Sequence, residues 1–77
     1  MIPKYIMSKL RSFSLNSNIE KYEIIPSEFN DKIYLRNINY NIYPLRFDEF
    51  CKFLKENKEL NLELYKFIFE ENIEYLI

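Results

Sequence analysis

The spacing of apolar residues along the chain changes from a period of two to a period near 3.6. Between residues 20 and 45, apolar and polar side chains alternate in IEKYEIIP, KIYLRN and YNIYPL. Runs of this kind, rich in Ile and Tyr and bounded by polar residues, predict β-strands. We therefore expect a β-hairpin at about residues 32–45 and an added strand at 20–25, which Pro26 ends because it offers the ladder no N–H.

The hairpin must reverse without glycine, because the chain contains none. Among the other residues, Asn adopts positive φ most readily. A three-residue loop at 37–39, built on a type I turn and closed by Asn39 in the left-handed region, would reverse the chain and pair Arg36 with Tyr40. The same register pairs Tyr34 with Ile42. One face then carries Tyr34, Arg36, Tyr40 and Ile42, and the face expected to pack on the helices carries Ile33, Leu35, Asn41, Tyr43 and Leu45.

From Phe47 onward the period becomes helical. Phe47, Phe50, Cys51 and Leu54 follow the spacing of a single apolar stripe and predict a helix at about residues 46–57. A second helix is predicted at about 61–75, although the alternation in LNLELYKFIF also permits a strand at 62–69. The apolar stripe of this second helix consists of Leu62, Tyr65, Phe69, Ile73 and Leu76. Asn57 and Asn61 bracket the break between the two predicted helices. The near-helical spacing of apolar residues in 3–13 is compatible with a short helix there but does not establish one.

These elements predict one small α+β domain over residues 1–77. It consists of a β-hairpin, or a three-stranded antiparallel sheet, packed against C-terminal helices. A chain this short buries only about 60–65% of the surface that its unfolded form exposes, so a monomer and a homodimer are both compatible with it. The predicted core consists of Phe47, Phe50, Leu54, Leu64 and Ile68, together with Ile33 and Leu35.

The composition indicates an AT-rich gene and an intracellular protein. Gly, Ala, Val, Thr, Gln, His and Trp are absent, whereas residues with A/T-rich codons, such as Ile, Asn, Lys, Tyr and Phe, are abundant. Cys51 is the only cysteine and can form no intramolecular disulfide, which points to a reducing compartment such as the cytoplasm. The sequence shows no apolar run of about 18 residues that would span a membrane.

The residue types present argue against catalysis and against a bound cofactor or metal. Without His there is no imidazole base for a nucleophilic triad, and Cys51 lies on an apolar helical stripe. No glycine-rich loop is available to bring N–H groups onto phosphates, and one Cys cannot build a structural zinc site. Glutamates at helical spacing near the C-terminus are typical of a solvated helix face.

A binding function remains. Tyr and Arg concentrate in interface hot spots, so we expect the hairpin to present Tyr34, Arg36 and Tyr40 to a protein partner. Glu70, Glu71 and Glu74 form a second, acidic candidate patch that could meet a nucleic-acid-binding groove on that partner. Small AT-rich genes are common among the accessory genes of phages and plasmids, so we expect an inhibitor, encoded by a phage or mobile element, that docks on and blocks a larger host complex.

The alternative is a small nucleic-acid-binding regulator. Tyrosines beside cations on a hairpin offer stacking and phosphate contacts. The net charge of -1 argues against this function, because such domains are usually basic. The cations concerned are Lys4, Lys9, Arg11, Lys32 and Arg36.

Overall fold

The computed structural model describes residues 3–71, which form a four-stranded antiparallel sheet with helices on one side. This arrangement confirms the predicted α+β class, with one strand more than expected. The strands are β1 (Ser14–Asn16), β2 (Lys21–Pro26), β3 (Lys32–Arg36) and β4 (Ile42–Arg46), paired in chain order. The helices are α1 (Lys4–Leu10), α2 (Phe47–Glu56) and α3 (Leu62–Lys66), with a 3₁₀ turn (Lys58–Leu60) before α3 and a π-helical turn (Phe67–Glu71) after it.

The hairpin between β3 and β4 has the predicted kind of loop, placed one residue later than predicted. The Asn37 carbonyl accepts from the Tyr40 N–H at 3.0 Å, and the Asn37 N–H donates to the Asn41 carbonyl at 3.1 Å. Tyr40, with φ of 61°, takes the left-handed conformation, so the prediction of that role for Asn39 is wrong. A loop moved by one residue shifts the register by two, and each strand side chain therefore keeps its predicted face.

The register corrects the predicted pairs. Arg36 lies opposite Ile42 rather than Tyr40, and Tyr34 lies opposite Pro44 rather than Ile42. The cause is the side chain of Asn37, whose Oδ1 accepts from the N–H groups of Asn39 at 3.0 Å and of Asn41 at 2.9 Å. An Asn in this role belongs at the first position of the turn, which forces the loop to begin after residue 37.

The N-terminal part of the sheet is only partly predicted by the sequence. β2 is the strand expected at 20–25, and Tyr22 and Ile24 lie on its inner face. β1 is not predicted, because three residues are too few to show an alternating pattern. It pairs with β2 through Leu15 opposite Tyr22. Ahead of β1, the segment that the pattern left undecided forms α1 over Lys4–Leu10.

The core lies between one face of the sheet and the helices. Every predicted core residue is buried except Phe47, which is half-buried at the start of α2. The predicted core did not include α1, which contributes three of its seven residues to the interior. The buried set is Ile6, Met7, Leu10, Leu15, Ile24, Ile33, Leu35, Phe50, Cys51, Leu54, Leu64, Phe67 and Ile68.

The C-terminal segment is helical and buries the predicted core residues Leu64 and Ile68, together with Phe67, rather than the stripe that begins at Leu62. Leu62 is 51% exposed. Both stripes have helical spacing, and the choice between them is made by Asn61. Its Oδ1 caps the helix by accepting from the Leu64 N–H at 3.0 Å, and its Nδ2 donates to the Ser14 carbonyl of β1 at 2.8 Å. The predicted Ile73 and Leu76 lie outside the described residues.

The beginning of α2 is fixed by a carboxylate. Glu49 Oε1 accepts from the Arg46 N–H at 2.9 Å, which satisfies one of the donors that a helix N-terminus leaves open. The helix ends at Glu56, close to the predicted 46–57, and the expected break between Asn57 and Asn61 holds the 3₁₀ turn. No helix among residues 3–71 is long and apolar enough to cross a membrane.

Candidate interaction surface

One face of the sheet carries no helix in the described part of the chain. The helices and the inner residues Leu15, Ile24, Ile33 and Leu35 share a single core on the other face. Because side chains alternate along a strand, the strand residues that alternate with the inward-facing ones point the opposite way and are half-buried or exposed. We call this surface the open face. It consists of Ser14, Asn16, Lys21, Glu23, Ile25, Lys32, Tyr34, Arg36, Ile42, Pro44 and Arg46.

The register arranges the open face in rows across the strands. Ile25, Tyr34 and Pro44 lie directly opposite one another on β2, β3 and β4 and form an apolar row. Neighbouring strands are about 4.8 Å apart, so this row extends about 10 Å. Lys32 and Arg46 form a basic row on one side of it. The row on the other side contains Glu23, Arg36 and Ile42.

Arg36 connects two of its neighbours. Its Nη2 lies 2.7 Å from the Glu23 carboxylate across the β2–β3 pair, and its guanidinium carbon lies 5.4 Å from the centroid of the Tyr40 ring. The contact with Glu23 restricts the arginine side chain, and the cation–π contact restricts the tyrosine. Two long side chains that would otherwise be mobile are thus held in one arrangement.

Tyr40 occupies a costly backbone position. A left-handed conformation costs a non-glycine residue about 1–2 kcal/mol, and a bulky aromatic at positive φ is uncommon. Asn would accept φ of 61° more easily, and Asn39 and Asn41 flank this position. The Tyr40 side chain is nevertheless 75% exposed and contributes little to the core. Strained, exposed residues of this kind concentrate at functional sites.

The loop that carries Tyr40 is tied to the loop between β1 and β2. Asn37 Nδ2 donates to Glu20 Oε1 at 3.1 Å, and the other oxygen of the same carboxylate accepts from the Tyr22 hydroxyl. That hydrogen bond, together with burial, raises the pKa of Tyr22. Asn37 is 5% exposed, so these contacts are largely shielded from water. The two loops form one rigid end of the sheet.

This end of the sheet exposes several apolar side chains. In an antiparallel meander the β1–β2 and β3–β4 loops lie at the same end, which brings Ile19 close to the hairpin tip. Ile19 is 93% exposed and Ile38 is 83% exposed. Ile42, which is 56% exposed, continues this apolar surface onto the open face. Large exposed apolar groups gathered in one region are typical of interaction surfaces.

The structure brings some of the predicted site residues together and separates others. Tyr34, Arg36 and Tyr40 lie side by side on the open face and its adjoining loop, as expected from the strand pattern. Glu70 and Glu71 are exposed on the π-helical turn, in the helical layer and away from the open face. Glu74 lies outside the described residues. The acidic patch is therefore a separate surface.

The cations considered for nucleic-acid binding are also divided. Lys4 and Lys9 belong to α1, whereas Lys32 and Arg36 belong to the open face. Arg11 lies at the β1 edge of the open face, where it lines a shallow groove with Lys21 and Arg36, and it lies 3.7 Å from Glu28. The hairpin pattern alone does not group the other residues of the open face. Lys21, Glu23 and Ile25 join it through the pairing of β2 with β3, and Pro44 and Arg46 join it through the observed register of β3 with β4.

The single thiol is placed for packing rather than for reaction. Cys51 is 9% exposed on the core side of α2, and burial, reinforced by Asp48, raises its pKa to about 11. A thiol in this environment is a poor nucleophile, since the thiolate is the reactive form. Among residues 3–71, no group of three or more Cys, Asp or Glu side chains is arranged to hold a metal ion.

Comparisons with protein families, with curated proteins and with solved structures find no match for this chain.

Proposed function

We propose that this chain is a non-enzymatic protein-binding module and that the open face, together with the Tyr40 loop, is its docking surface. The observation that carries the proposal is Tyr40 itself. It is exposed, held at positive φ and stacked against Arg36 beside a sheet face that no described helix covers. A side chain that adds little to the core but occupies a strained position is best explained by a contact with a partner.

The rigidity of this surface favours binding. Ordering a rotamer-rich side chain at an interface costs about 0.5–1.5 kcal/mol, and Arg36 and Tyr40 are already restrained by each other and by Glu23. Tyr and Arg are the residue types most often found as hot spots. Tyr34 and the apolar row beside them supply surface that becomes buried on contact.

The β4 edge of the sheet is poorly suited to strand addition. Asn37 with Asn41, and Asp31 with Phe47, are hydrogen-bonded pairs of the β3–β4 ladder. Such pairs alternate along an antiparallel ladder, so the pair of Tyr34 and Pro44 is a non-bonded one. The nitrogen of Pro44 consequently points to the free edge, where it offers no donor to an added strand.

A nucleic-acid-binding regulator is the second candidate, and one observation favours it. The open face carries Lys21, Lys32, Arg36 and Arg46 but only one carboxylate, and Arg11 adjoins it. Two features weigh against this candidate. The guanidinium of Arg36 covers one side of the Tyr40 ring, and the exposed side chains at the sheet end include isoleucines, which cannot stack on bases.

We propose further that the module acts as an inhibitor, encoded by a phage or mobile element, that blocks a larger host complex inside the cell. The AT-rich composition and the lack of catalytic residue types support this reading, and the buried free thiol of Cys51 suits a reducing compartment. Expression in host cells should slow growth, and the variant described next should abolish that effect. Equal growth with both would contradict the inhibitor proposal.

The binding proposal is tested by affinity capture from nuclease-treated lysate of the source organism or its host. The immobilised protein should retain a specific protein, and Tyr34→Ala/Tyr40→Ala should lose it while remaining folded by circular dichroism. Phe29→Ala is a matched control, because Phe29 is 96% exposed in the β2–β3 loop, at the opposite end of the sheet. Retention of no protein, or equal loss with the control variant, would contradict the proposal.

A further inference from the structure

We infer that the partner presents an acidic protein surface, with carboxylates beside an apolar centre. This inference rests on the proposed binding function and specifies the chemistry of the partner. It follows from the rows of the open face, in which the apolar residues Ile25, Tyr34 and Pro44 lie beside the basic row of Lys32 and Arg46.

The spacing of the rows gives the partner surface its dimensions. Residues on one face of a strand repeat about every 6.7 Å, because each residue rises about 3.3–3.4 Å. Lys32 and Arg46 therefore lie one repeat from the apolar row on one side, and Arg36 lies one repeat from it on the other. Carboxylates opposite Lys32 and Arg46, about 7 Å from apolar groups opposite the apolar row, complement the open face.

Most of these cations are available for a partner. Lys21 and Lys32 make no ion pair with any other residue of the described chain. Arg46 lies 3.7 Å from Asp48, but both side chains are more than 70% exposed, and such exposed pairs contribute little. Arg36 is engaged by Glu23, whose carboxylate balances its charge, so Lys21, Lys32 and Arg46 carry the net positive charge of the open face.

The charges of the domain are unevenly distributed. The open face has four cations and one carboxylate, whereas residues 47–71 have seven carboxylates and four lysines. The net charge of -1 thus conceals a basic sheet face and an acidic segment at 47–71, and α1 adds Lys4 and Lys9 without a carboxylate. Fields of this kind orient a partner before contact and select partners of opposite sign.

A nucleic acid and a second copy of the chain are the other anionic surfaces to consider. Phosphates would satisfy the cations but not the apolar row or the exposed isoleucines beside it. The acidic segment 47–71 of a second copy would bind head to tail and produce rings or open-ended oligomers. An acidic protein surface satisfies both the apolar and the basic rows.

The test compares two charge reversals of equal size in the full chain. Lys32→Glu/Arg46→Glu changes the open face, and Lys52→Glu/Lys55→Glu changes exposed positions of α2 by the same net charge. The binding of each variant to the captured partner is measured by calorimetry at two salt concentrations. We expect the open-face variant to bind about tenfold or more weakly and the α2 variant to bind within about twofold of the parent.

Cross-linking with a carbodiimide identifies the groups in contact, since this reagent joins an amine directly to a carboxylate. Mass spectrometry should find Lys32 or Lys21 of the parent joined to Asp or Glu of the partner. The acidic-partner inference is wrong, and the binding function stands, if Tyr34→Ala/Tyr40→Ala loses the partner while Lys32→Glu/Arg46→Glu binds it as the parent does and no cross-link forms from Lys32 or Lys21. If no protein is captured, both are wrong.

Two further outcomes would also overturn the inference. One is nuclease-sensitive binding with a steep dependence on salt, which would identify a nucleic acid. The other is a set of cross-links from Lys32 to the helical carboxylates of the same chain, accompanied by concentration-dependent oligomers in sedimentation, which would identify a second copy.

Discussion

Replacement of Asn37 by Ala should destabilise the domain more than any other single change in the hairpin loop. The side chain is 5% exposed, accepts two backbone N–H groups through Oδ1 and donates to the Glu20 carboxylate through Nδ2. A neutral hydrogen bond contributes about 0.5–1.5 kcal/mol net, and a bond to a charged group contributes about 1.5–3 kcal/mol. Because water can reach part of the opened loop, we expect a loss of about 2–4 kcal/mol for Asn37→Ala.

This loss is large beside the total stability of a chain of this length, which is about 4–12 kcal/mol. It is measured by guanidinium unfolding followed by circular dichroism, with Asn39→Ala as the control. Asn39 is exposed in the same loop and contributes only its backbone N–H to the network. The control should therefore stay within about 0.5 kcal/mol of the parent.

Asn37→Asp separates the two halves of the network. It keeps the acceptor for Asn39 and Asn41 but sets a second carboxylate against Glu20 in place of a donor. Its free energy of unfolding should therefore rise as pH falls from 7 towards 5, since protonation of either carboxylate restores a donor. Asn37→Ala should lack that rise when each variant is compared with the parent. An Asn37→Ala variant as stable as the parent would refute the role of this side chain in fixing the loop.

Three further predictions concern the core, the Tyr40 backbone and the thiol. Phe50→Ala should lose about 3–5 kcal/mol, because Phe50 is fully buried between α2 and the sheet; a melting temperature within a degree or two of the parent would contradict the packing. Tyr40→Gly should be more stable than Tyr40→Ala by about 1 kcal/mol, and the reverse order in chemical denaturation would mean that φ is not positive in solution. Cys51 should resist iodoacetamide until the protein is denatured. The pKa of Cys51 is raised from 9.0 to about 11, so the fold favours its neutral form. The stability that this provides is fully present below pH 9 and should be lost as pH rises through 11. The loss of stability over this pH range should be smaller in Cys51→Ala.

Local periodicity predicted the elements that are long enough to show it. The hairpin strands and α2 each contain enough residues for an alternating or a helical stripe, and their observed limits lie close to the predicted ones. The two faces of the hairpin were also assigned correctly, since a register shift of two leaves the alternation unchanged. Tyr34 and Arg36 were therefore recognised as neighbours on the outward face.

Contacts between distant residues decided what periodicity could not. The segment NINYN offers an Asn at several loop positions, and the choice of Asn37 as the organising residue involves Glu20, 17 positions earlier. The bond from Asn61 to Ser14 spans 47 positions, and it orients α3 and secures the short strand β1. The place of Lys21, Glu23 and Ile25 on the open face depends likewise on the pairing of β2 with β3. No local pattern contains these contacts.

The most direct test of the account is an NMR spectrum of the isoleucine methyl groups with and without the captured partner. Ile24 and Ile25 are adjacent on β2 but point to opposite faces, so they form a matched pair within one strand. If the open face is the docking surface, the methyl signals of Ile25 and Ile42 should shift or broaden, while those of Ile24 and Ile33 in the core remain in place. Unchanged signals from Ile25 and Ile42, with changes confined to isoleucines of the helical layer such as Ile6 or Ile68, would contradict it.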